Sequence, residues 1–312
     1  MLSNLLIVLP IFALVLTGWL ARQFGALGPN ATREVNRVVV YLALPALLFD
    51  ITANAVPSEI WQPGFLVAFT AGCAVVFILT IGLRMRQGAP LADAAIDGLN
   101  TSYANTGFMG FPLLLAVIGE TAMAATLVAT IVTACVLFAI AIILIESGLQ
   151  AETRRRDIAR KICLSLVRNP LLIAPVLGGI VMATGLRLPE ALDSYLKLLG
   201  GAASPCALIA LGLFLADNSG RQPRAGTKVQ TILVALKLIA QPAVTWIIAV
   251  PVLGLPAETA HIAVLLAALP TGTGPFMLAE FYQREALLTG RVILITTILS
   301  VGTLSLYLAL AG

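Results

Sequence analysis

Charge, and the residue groups that most enzymes use, are scarce in this sequence of 312 residues. Charged side chains make up 11% of the chain, and it has a single histidine. No HExxH, GxSxG or P-loop motif is present, and the four cysteines (Cys73, Cys135, Cys163 and Cys206) form no CxxC pair. We therefore expect no enzymatic activity and neither a bound metal nor a cofactor, and we interpret the cysteines as small apolar fillers.

Apolar residues dominate the chain instead. They make up 59% of it, and its mean hydropathy is +1.00. Soluble domains contain about 45–50% apolar residues, so the surroundings of this chain must be lipid. The apolar run at Met1–Leu20 follows no basic residue and has no small-residue cleavage site, so we interpret it as a membrane span and not as a signal peptide.

Ten apolar runs have about the 20 residues that a membrane helix needs. They lie near residues 4–21, 35–54, 64–83, 95–118, 121–145, 169–186, 193–216, 229–251, 258–281 and 291–311. A basic linker at residues 151–168 separates five runs in residues 1–150 from five runs in residues 169–312. The sequence therefore predicts an all-α membrane protein with ten transmembrane helices.

Basic residues lie in alternate loops between these runs. The first, third, fifth, seventh and ninth loops carry three, two, six, three and two Lys or Arg residues, which is 16 of the 19 in the chain. Because Lys and Arg favour cytoplasmic loops, we place both termini outside the cytoplasm and the linker inside it, and we attribute the net charge of +4 to these loops and not to nucleic-acid binding. The halves have an odd number of spans, so a structural repeat between them must be inverted.

Sequence matches between the halves support such a repeat. Pro10 and Pro175 are 165 residues apart, and so are the Thr-Gly steps that begin at Thr106 and Thr271. Pro45 and Pro205 are 160 residues apart.

Predicted spans 4 and 9 contain Gly, Pro and hydroxyl or amide residues at mid-membrane depth. Such residues weaken a helix, and freed backbone groups in lipid must be buried in protein or line a cavity. Two interrupted spans at matching places predict a transporter site, although kinked helices packed through small residues are the alternative. The N-terminus of each half-helix favours an anion such as a carboxylate. The candidate substrate-binding residues are Asn105, Thr106, Gly107, Pro112, Pro270, Thr271, Gly272, Thr273 and Gly274.

Four segments carry a more specific pattern: ANTGFMGFPLL at 104–114, LPTGTGPFMLAEFY at 269–282, LALPALLF at 42–49 and SPCALIALG at 204–212. Together they resemble the auxin efflux carrier family, whose bacterial members are described as malate or malonate permeases and whose plant members are PIN auxin carriers. The crossover asparagine of the family falls on Asn105. A second family asparagine falls on Gly274, where this chain departs from the pattern.

The resemblance implies a fold like that of the bile-acid:sodium symporters, in which spans 4 and 9 cross as broken helices. Spans 1, 2, 6 and 7 would form a scaffold, and spans 3–5 and 8–10 a mobile transport domain. It also implies a homodimer and an elevator mechanism.

Lys237 is the basic residue placed deepest within a predicted span, and ionisable residues inside membranes are candidates for function. Gln241 lies one turn further on the same face, and Asn100 in span 4 is a third candidate for ion coupling. The alternative for Lys237 is an ammonium that snorkels to the cytoplasmic interface. We expect Asp97 and Asp50 at the membrane interfaces, Glu280 at the cytoplasmic mouth and His261 near the outer start of span 9.

These observations predict a secondary carrier of small organic anions, such as malate, malonate or auxin-like acids, in the plasma membrane. The coupling ion, a proton or sodium, is left open. A cation/proton antiporter of related fold is the alternative, which buried acids in spans 3–5 or 8–10 would favour. A channel or receptor is a further alternative, but no span carries the polar stripe of a channel.

Overall fold

The computed structural model describes residues 2–57, 61–149, 169–217 and 226–311, and these residues form helices joined by short connections. The helices are α1 (Leu2–Gln23), α2 (Ala31–Ala53), α3 (Pro63–Arg86), α4 (Leu91–Ser102), α5 (Thr106–Val117), α6 (Glu120–Leu149), α7 (Pro170–Thr184), α8 (Glu190–Asp217), α9 (Gly226–Val252), α10 (Ala257–Ala267), α11 (Gly274–Phe281) and α12 (Ala286–Ala311). No strand occurs within these ranges, and the predicted linker at 151–168 lies outside them. The all-α prediction is confirmed for the described part of the chain.

Six of these helices are long and apolar enough to cross a membrane alone: α2, α3, α6, α8, α9 and α12. The helices α5, α7 and α10 are shorter apolar helices. Predicted span 4 is divided into α4 and α5, and predicted span 9 is divided into α10 and α11. Both interruptions inferred from Gly and Pro are therefore real breaks in helices.

Two groups of helices can be recognised from their packing. In the first group, α1 packs along α8, and α2 packs against both α7 and α8. In the second group, α3 packs against α4 and α9, α4 packs against α6, and α12 packs against α9 and α11.

Glycine allows the closest approaches within the first group. A Cβ at Gly18 would overlap the carbonyl of Ile209, and a Cβ at Gly178 would lie 2.6 Å from the carbonyl oxygen of Phe49. Gly178 follows Gly18 by 160 residues, and Ile209 follows Phe49 by the same 160. Pro45 and Pro205 are also 160 residues apart and so agree with this spacing. Pro10 and Pro175 are 165 residues apart and therefore do not occupy equivalent positions in these contacts.

The outside of the bundle carries large apolar side chains. Ile78 is 67% exposed, Leu198 80% and Ile239 66%. A surface of this kind would aggregate in water but is suited to lipid tails.

The contact between α1 and α8 gives a test of this packing. A Cβ at Gly212 would overlap the carbonyl of Val15, whereas a Cβ at Gly302 in α12 meets no atom within 4 Å. We expect Gly212→Ala to lower the free energy of unfolding by about 1–3 kcal/mol, because overpacking forces the backbones apart. Gly302→Ala, its matched control, should leave stability unchanged or raise it by up to about 1 kcal/mol. Unfolding of the purified proteins in detergent measures both, and equal losses would contradict the packing.

Candidate functional site

The two helix breaks lie against each other. The Asn105 N–H donates to the Pro270 carbonyl at 2.9 Å, and the Gly272 N–H donates to the Tyr103 carbonyl at 3.0 Å. These bonds form an isolated antiparallel bridge between Ala104 and Thr271. Each break therefore supplies backbone partners that the other lacks after leaving its helix.

Threonines of the following helices support both breaks. The Thr106 hydroxyl lies 3.2 Å from the Thr133 hydroxyl on α6. The Thr271 N–H donates to the Thr296 hydroxyl on α12 at 3.2 Å. The Thr271 hydroxyl also donates to the carbonyl of Asn100 at 2.7 Å, which ties the second break to the last turn of α4. In both halves a threonine on the following long helix bonds a threonine of the break.

The carbonyl ends of α4 and α10 converge on α9. The Lys237 ammonium donates to the carbonyl of Ala267, the last residue of α10, at 2.9 Å and to the side-chain oxygen of Gln241. The Gln241 amide donates to the carbonyl of Ser102, the last residue of α4, at 3.0 Å, and to the sulfur of Cys73 at 3.3 Å. Lys237 is fully buried, so its ammonium does not snorkel to the interface. A cation is favoured here because carbonyl ends of helices carry partial negative charge.

A cavity of about 200 Å³ opens beside the first break, between the two groups of helices. Water takes about 30 Å³ per molecule in the liquid, so the cavity has room for a small organic molecule. It is lined by Leu44, Leu47, Ile51, Tyr103, Ala104, Asn105, Thr106, Gly107, Phe108, Phe111, Thr130, Ala134, Ala203, Ser204, Thr273 and Met277. No charged side chain is among these residues.

Four of the predicted substrate-binding residues line this cavity: Asn105, Thr106, Gly107 and Thr273. The other five do not. Pro112 lies on an exposed face of α5, and Pro270, Thr271, Gly272 and Gly274 are buried behind the break.

Tyr103 explains why the second break is rich in glycine. A Cβ at Gly272 would lie 2.8 Å from a ring carbon of Tyr103, and a Cβ at Gly274 would lie 2.7 Å from another. The Tyr103 ring thus occupies the space beside Gly274 that a larger side chain would need. Gly107 differs, because a Cβ there would meet only a methyl carbon of Thr130, at 3.9 Å.

Three polar residues of this cavity were missed by sequence reasoning: Tyr103, Thr130 and Ser204. Ser204 opens the SPCALIALG segment, but nothing in that segment shows which break it faces. Its hydroxyl is buried at the cavity and has no hydrogen-bond partner among the described residues. Buried hydroxyls are seldom left unpaired, so Ser204 is available to a ligand.

The interfacial depth expected for Asp97 stays a prediction, but the residue is not open to solvent. Its side chain is fully buried, and Arg84 Nε donates to its Oδ2 at 2.6 Å. Arg84 lies in the last turn of α3, the helix that precedes α4 in the chain. The Asn100 side chain is not hydrogen-bonded to Lys237 or Gln241, and its amide donates to the Thr289 hydroxyl at 3.0 Å.

The remaining ionisable candidates lie away from the cavity. Glu280 is 9% exposed near the end of α11 and accepts a hydrogen bond from Gln283 at 3.2 Å. Asp50 is half-buried and accepts a hydrogen bond from Asn54 at 2.7 Å. His261 stacks on Tyr307 and lies 3.0 Å from its hydroxyl. The described cysteines, Cys73, Cys135 and Cys206, are free thiols, and Cys163 lies outside the described residues.

The arrangement can hold a small anion without a basic side chain. The first N–H groups of a helix have no intrahelical partner and carry partial positive charge. Gly107 and Phe108, in the first turn of α5, line the cavity beside the Asn105 amide and the hydroxyls of Thr106 and Ser204. These neutral donors would bind a carboxylate reversibly.

Known proteins resemble this chain over most of its length. Residues 5–308 match the family described as "Membrane transport protein". A Rhizobium meliloti (strain 1021) protein named "Putative malonate transporter" is 29% identical over 310 residues, which is 98% of this chain and 96% of that protein. An uncharacterized transporter of Escherichia coli (strain K12) is 26% identical and covers 74% of this chain and 76% of its own length. The Arabidopsis thaliana "Auxin efflux carrier component 8" is 25% identical, covering 75% of this chain and 77% of its own length. These relatives are named as transporters and not as enzymes.

The contact of Tyr103 with the second break gives a test of the site. We expect Gly274→Ala to lower the free energy of unfolding by about 1–3 kcal/mol, because the new methyl group overlaps the Tyr103 ring. Gly107→Ala has room for its methyl group and serves as the control. Adding Tyr103→Ala to Gly274→Ala should give less than the sum of the two losses, since residues in contact are not additive. Additive losses in a detergent unfolding assay would show that the ring and Gly274 do not compete for space.

Proposed function

Because the chain belongs to the auxin efflux carrier family of membrane transport proteins, we propose that it is a secondary carrier of small organic anions. The observation that carries this proposal is the cavity at the paired helix breaks. It combines helix N–H groups, an amide and hydroxyls, and it excludes acidic side chains from its lining.

We infer that the substrate carries one carboxylate and an apolar body. The polar donors lie around the break and at Ser204, whereas Leu47, Ile51, Phe108 and Phe111 form an apolar wall. A second carboxylate against this wall would lose its hydration without a partner, which is unfavourable by several kcal/mol. The name of the Rhizobium relative indicates a dicarboxylate, so the two proteins would differ in this respect.

The packing of the helices supports alternating access of the elevator type. We assign α1, α2, α7 and α8 to a fixed scaffold and the other described helices to a moving transport domain. The cavity lies between the groups, with α2 and α8 on one side and the breaks on the other. The contacts of Gly18 and Gly178 at a common spacing of 160 residues support inverted halves. We further propose ten crossings of the plasma membrane, both termini outside the cytoplasm, and a homodimer formed through the scaffold.

We propose that Lys237 takes the place of a coupling cation. Its ammonium joins the carbonyl ends of α4 and α10, directly at Ala267 and through Gln241 at Ser102. A covalently attached cation at this position would make sodium unnecessary.

A cation/proton antiporter is the second candidate, because Asp97 is a buried acid in the proposed transport domain. The cavity favours the anion carrier, since it contains no carboxylate that could hold a transported cation.

Replacing Asn105 tests the substrate site. We expect Asn105→Ala to weaken binding of hexanoate by roughly 10–100-fold, because a hydrogen bond to a charged group contributes about 1.5–3 kcal/mol and each 1.4 kcal/mol is tenfold. Calorimetry on the purified protein would measure the dissociation constant for hexanoate in both variants. The wild type should bind hexanoate more tightly than malonate. Asn54→Ala removes an exposed asparagine outside the cavity and is the matched control. Unchanged hexanoate binding in Asn105→Ala would place the site elsewhere, and preference for malonate would contradict the single-carboxylate inference.

Replacing Lys237 tests the coupling role. Lys237→Gln should lose accumulation of hexanoate against a gradient while it retains equilibrium binding, because it removes the charge but keeps a donor. Lys237→Arg should restore accumulation only in part, since the guanidinium is larger and planar. Lys228→Gln, which changes an exposed lysine at the start of the same helix, controls for loss of charge alone. The measurement is uptake into proteoliposomes beside binding, and full accumulation by Lys237→Gln would leave the residue a purely structural role.

A further inference from the structure

In the ion pair between Arg84 and Asp97, only one of the two carboxylate oxygens of Asp97 is hydrogen-bonded, which is unusual for a buried ion pair. Oδ2 of Asp97 accepts from Arg84 Nε at 2.6 Å, but Oδ1 is buried and has no hydrogen-bond partner among the described residues. The side chain of Asp97 is 0% exposed, and that of Arg84 is 8% exposed. A buried carboxylate is stable when its remaining lone pairs are also bonded, so the empty side of Asp97 requires an explanation.

A second buried acceptor lies one turn along the same face of α4. The side-chain oxygen of Asn100 also lacks a donor, while its amide donates to the Thr289 hydroxyl and lies close enough to Asp97 to act on the carboxylate. Residues three apart on a helix are neighbours. A proton on Asp97 would convert one of two adjacent acceptors into a donor.

Arg84 has an alternative position available if it releases Asp97. It lies in the last turn of α3, and its Nη1 already donates to the side-chain oxygen of Gln87 at 3.0 Å. The residues from 85 to 88 that follow are exposed. The guanidinium can therefore turn towards the end of the helix and keep a partner, without becoming an isolated buried charge.

Few other charges face Asp97. Glu285, just before α12, is the other charged residue that acts on it, and it disfavours a second negative charge. Arg291 lies two residues beyond Thr289 and so on a different face of α12. The charged groups on the remaining neighbours of α4 have partners of their own: Asp93 with Arg284, Glu146 with Tyr282, Glu280 with Gln283 and Lys237 with Gln241.

The state of Asp97 is linked to the helix breaks through α4. The carbonyl of Asn100, one turn beyond Asp97, accepts the hydrogen bond of Thr271 in the second break. The last residue of α4, Ser102, is held by Gln241. Breaking the bond between Arg84 and Asp97 would allow α4 to shift, and a shift of α4 would change the hydrogen bonds at the two helix breaks.

We propose that Asp97 is a proton-binding site that couples proton movement to transport. The proton comes from water on one side of the membrane, binds Oδ1 as Arg84 releases the carboxylate, and leaves to water on the other side when Arg84 returns. One proton moves with one carboxylate anion, so the transported charge is zero. The coupling rests on the proposed anion transport, whereas proton binding at Asp97 does not.

Infrared difference spectra of the protein in lipid, recorded between neutral and acidic pH, test proton binding without any substrate. Exposed acids also take up protons at acidic pH, so we expect one component of the protonated-carboxyl band that is present in the wild type and absent in Asp97→Asn. Asp93→Asn changes another α4 aspartate paired with an arginine, and it should retain the band. Retention of the whole band in Asp97→Asn would overturn the proposal.

Transport of hexanoate tests the coupling. In proteoliposomes, Asp97→Asn should exchange external for internal hexanoate within about twofold of the wild-type rate, because exchange needs no net proton transfer. Its accumulation driven by a pH gradient should fall at least tenfold. Accumulation equal to that of the wild type would refute coupling through Asp97. If the wild type itself transports neither hexanoate nor malonate, the proposed function fails, and the infrared result still decides proton binding.

A second variant covers the case in which Asp97→Asn does not fold. Arg84→Gln removes the positive partner, which favours the neutral acid, so the carboxyl band should appear at a higher pH than in the wild type. An unchanged pH for the appearance of the band would overturn the proposal.

Discussion

Lipid cannot form hydrogen bonds with a polypeptide backbone, and this constraint governs the arrangement around the two helix breaks. Each break frees N–H and carbonyl groups that must find partners within the protein. The breaks supply them to each other through Asn105 and Gly272, and threonines on α6 and α12 supply more. This requirement explains why the interruptions occur as a pair, since one broken helix alone would leave its backbone unsatisfied. It also leaves the first turn of α5 free to face a ligand.

The same lack of hydrogen-bond partners in lipid explains why α9 carries polar side chains that face the ends of α4 and α10. The carbonyl ends of α4 and α10 need donors, and Lys237 and Gln241 supply them from one face of α9. A positive charge is stabilised there by the two carbonyl ends, as cations are at helix C-termini. Arg84 and Asp97 form another buried charged pair in the second group of helices. The cavity lining, by contrast, contains no charged side chain among the described residues.

Particular residues illustrate how far the candidate site could be predicted. Asn105, Thr106, Gly107 and Thr273 were identified from Gly and Pro beside polar residues in apolar runs, and they line the cavity. Tyr103, Thr130 and Ser204 carry no such signal, because each is an ordinary residue of a helix or its end. The burial of Asp97 had no signal in the sequence, because it depends on Arg84 reaching the carboxylate from the preceding helix. The need for a glycine at 274 likewise comes from the Tyr103 ring, which fills the neighbouring space.

The sequence by itself determined the class of the protein, its helices and the two interruptions, because hydropathy, the length of an apolar run and the backbone effects of Gly and Pro are local properties. The tertiary structure alone decided which side of each break faces the cavity and which residues from α2 and α8 complete it. It also decided that Lys237 and Gln241 each reach one helix end and that Asp97 is buried with one oxygen unpaired. Those outcomes depend on contacts between residues far apart in the chain, which no local pattern records.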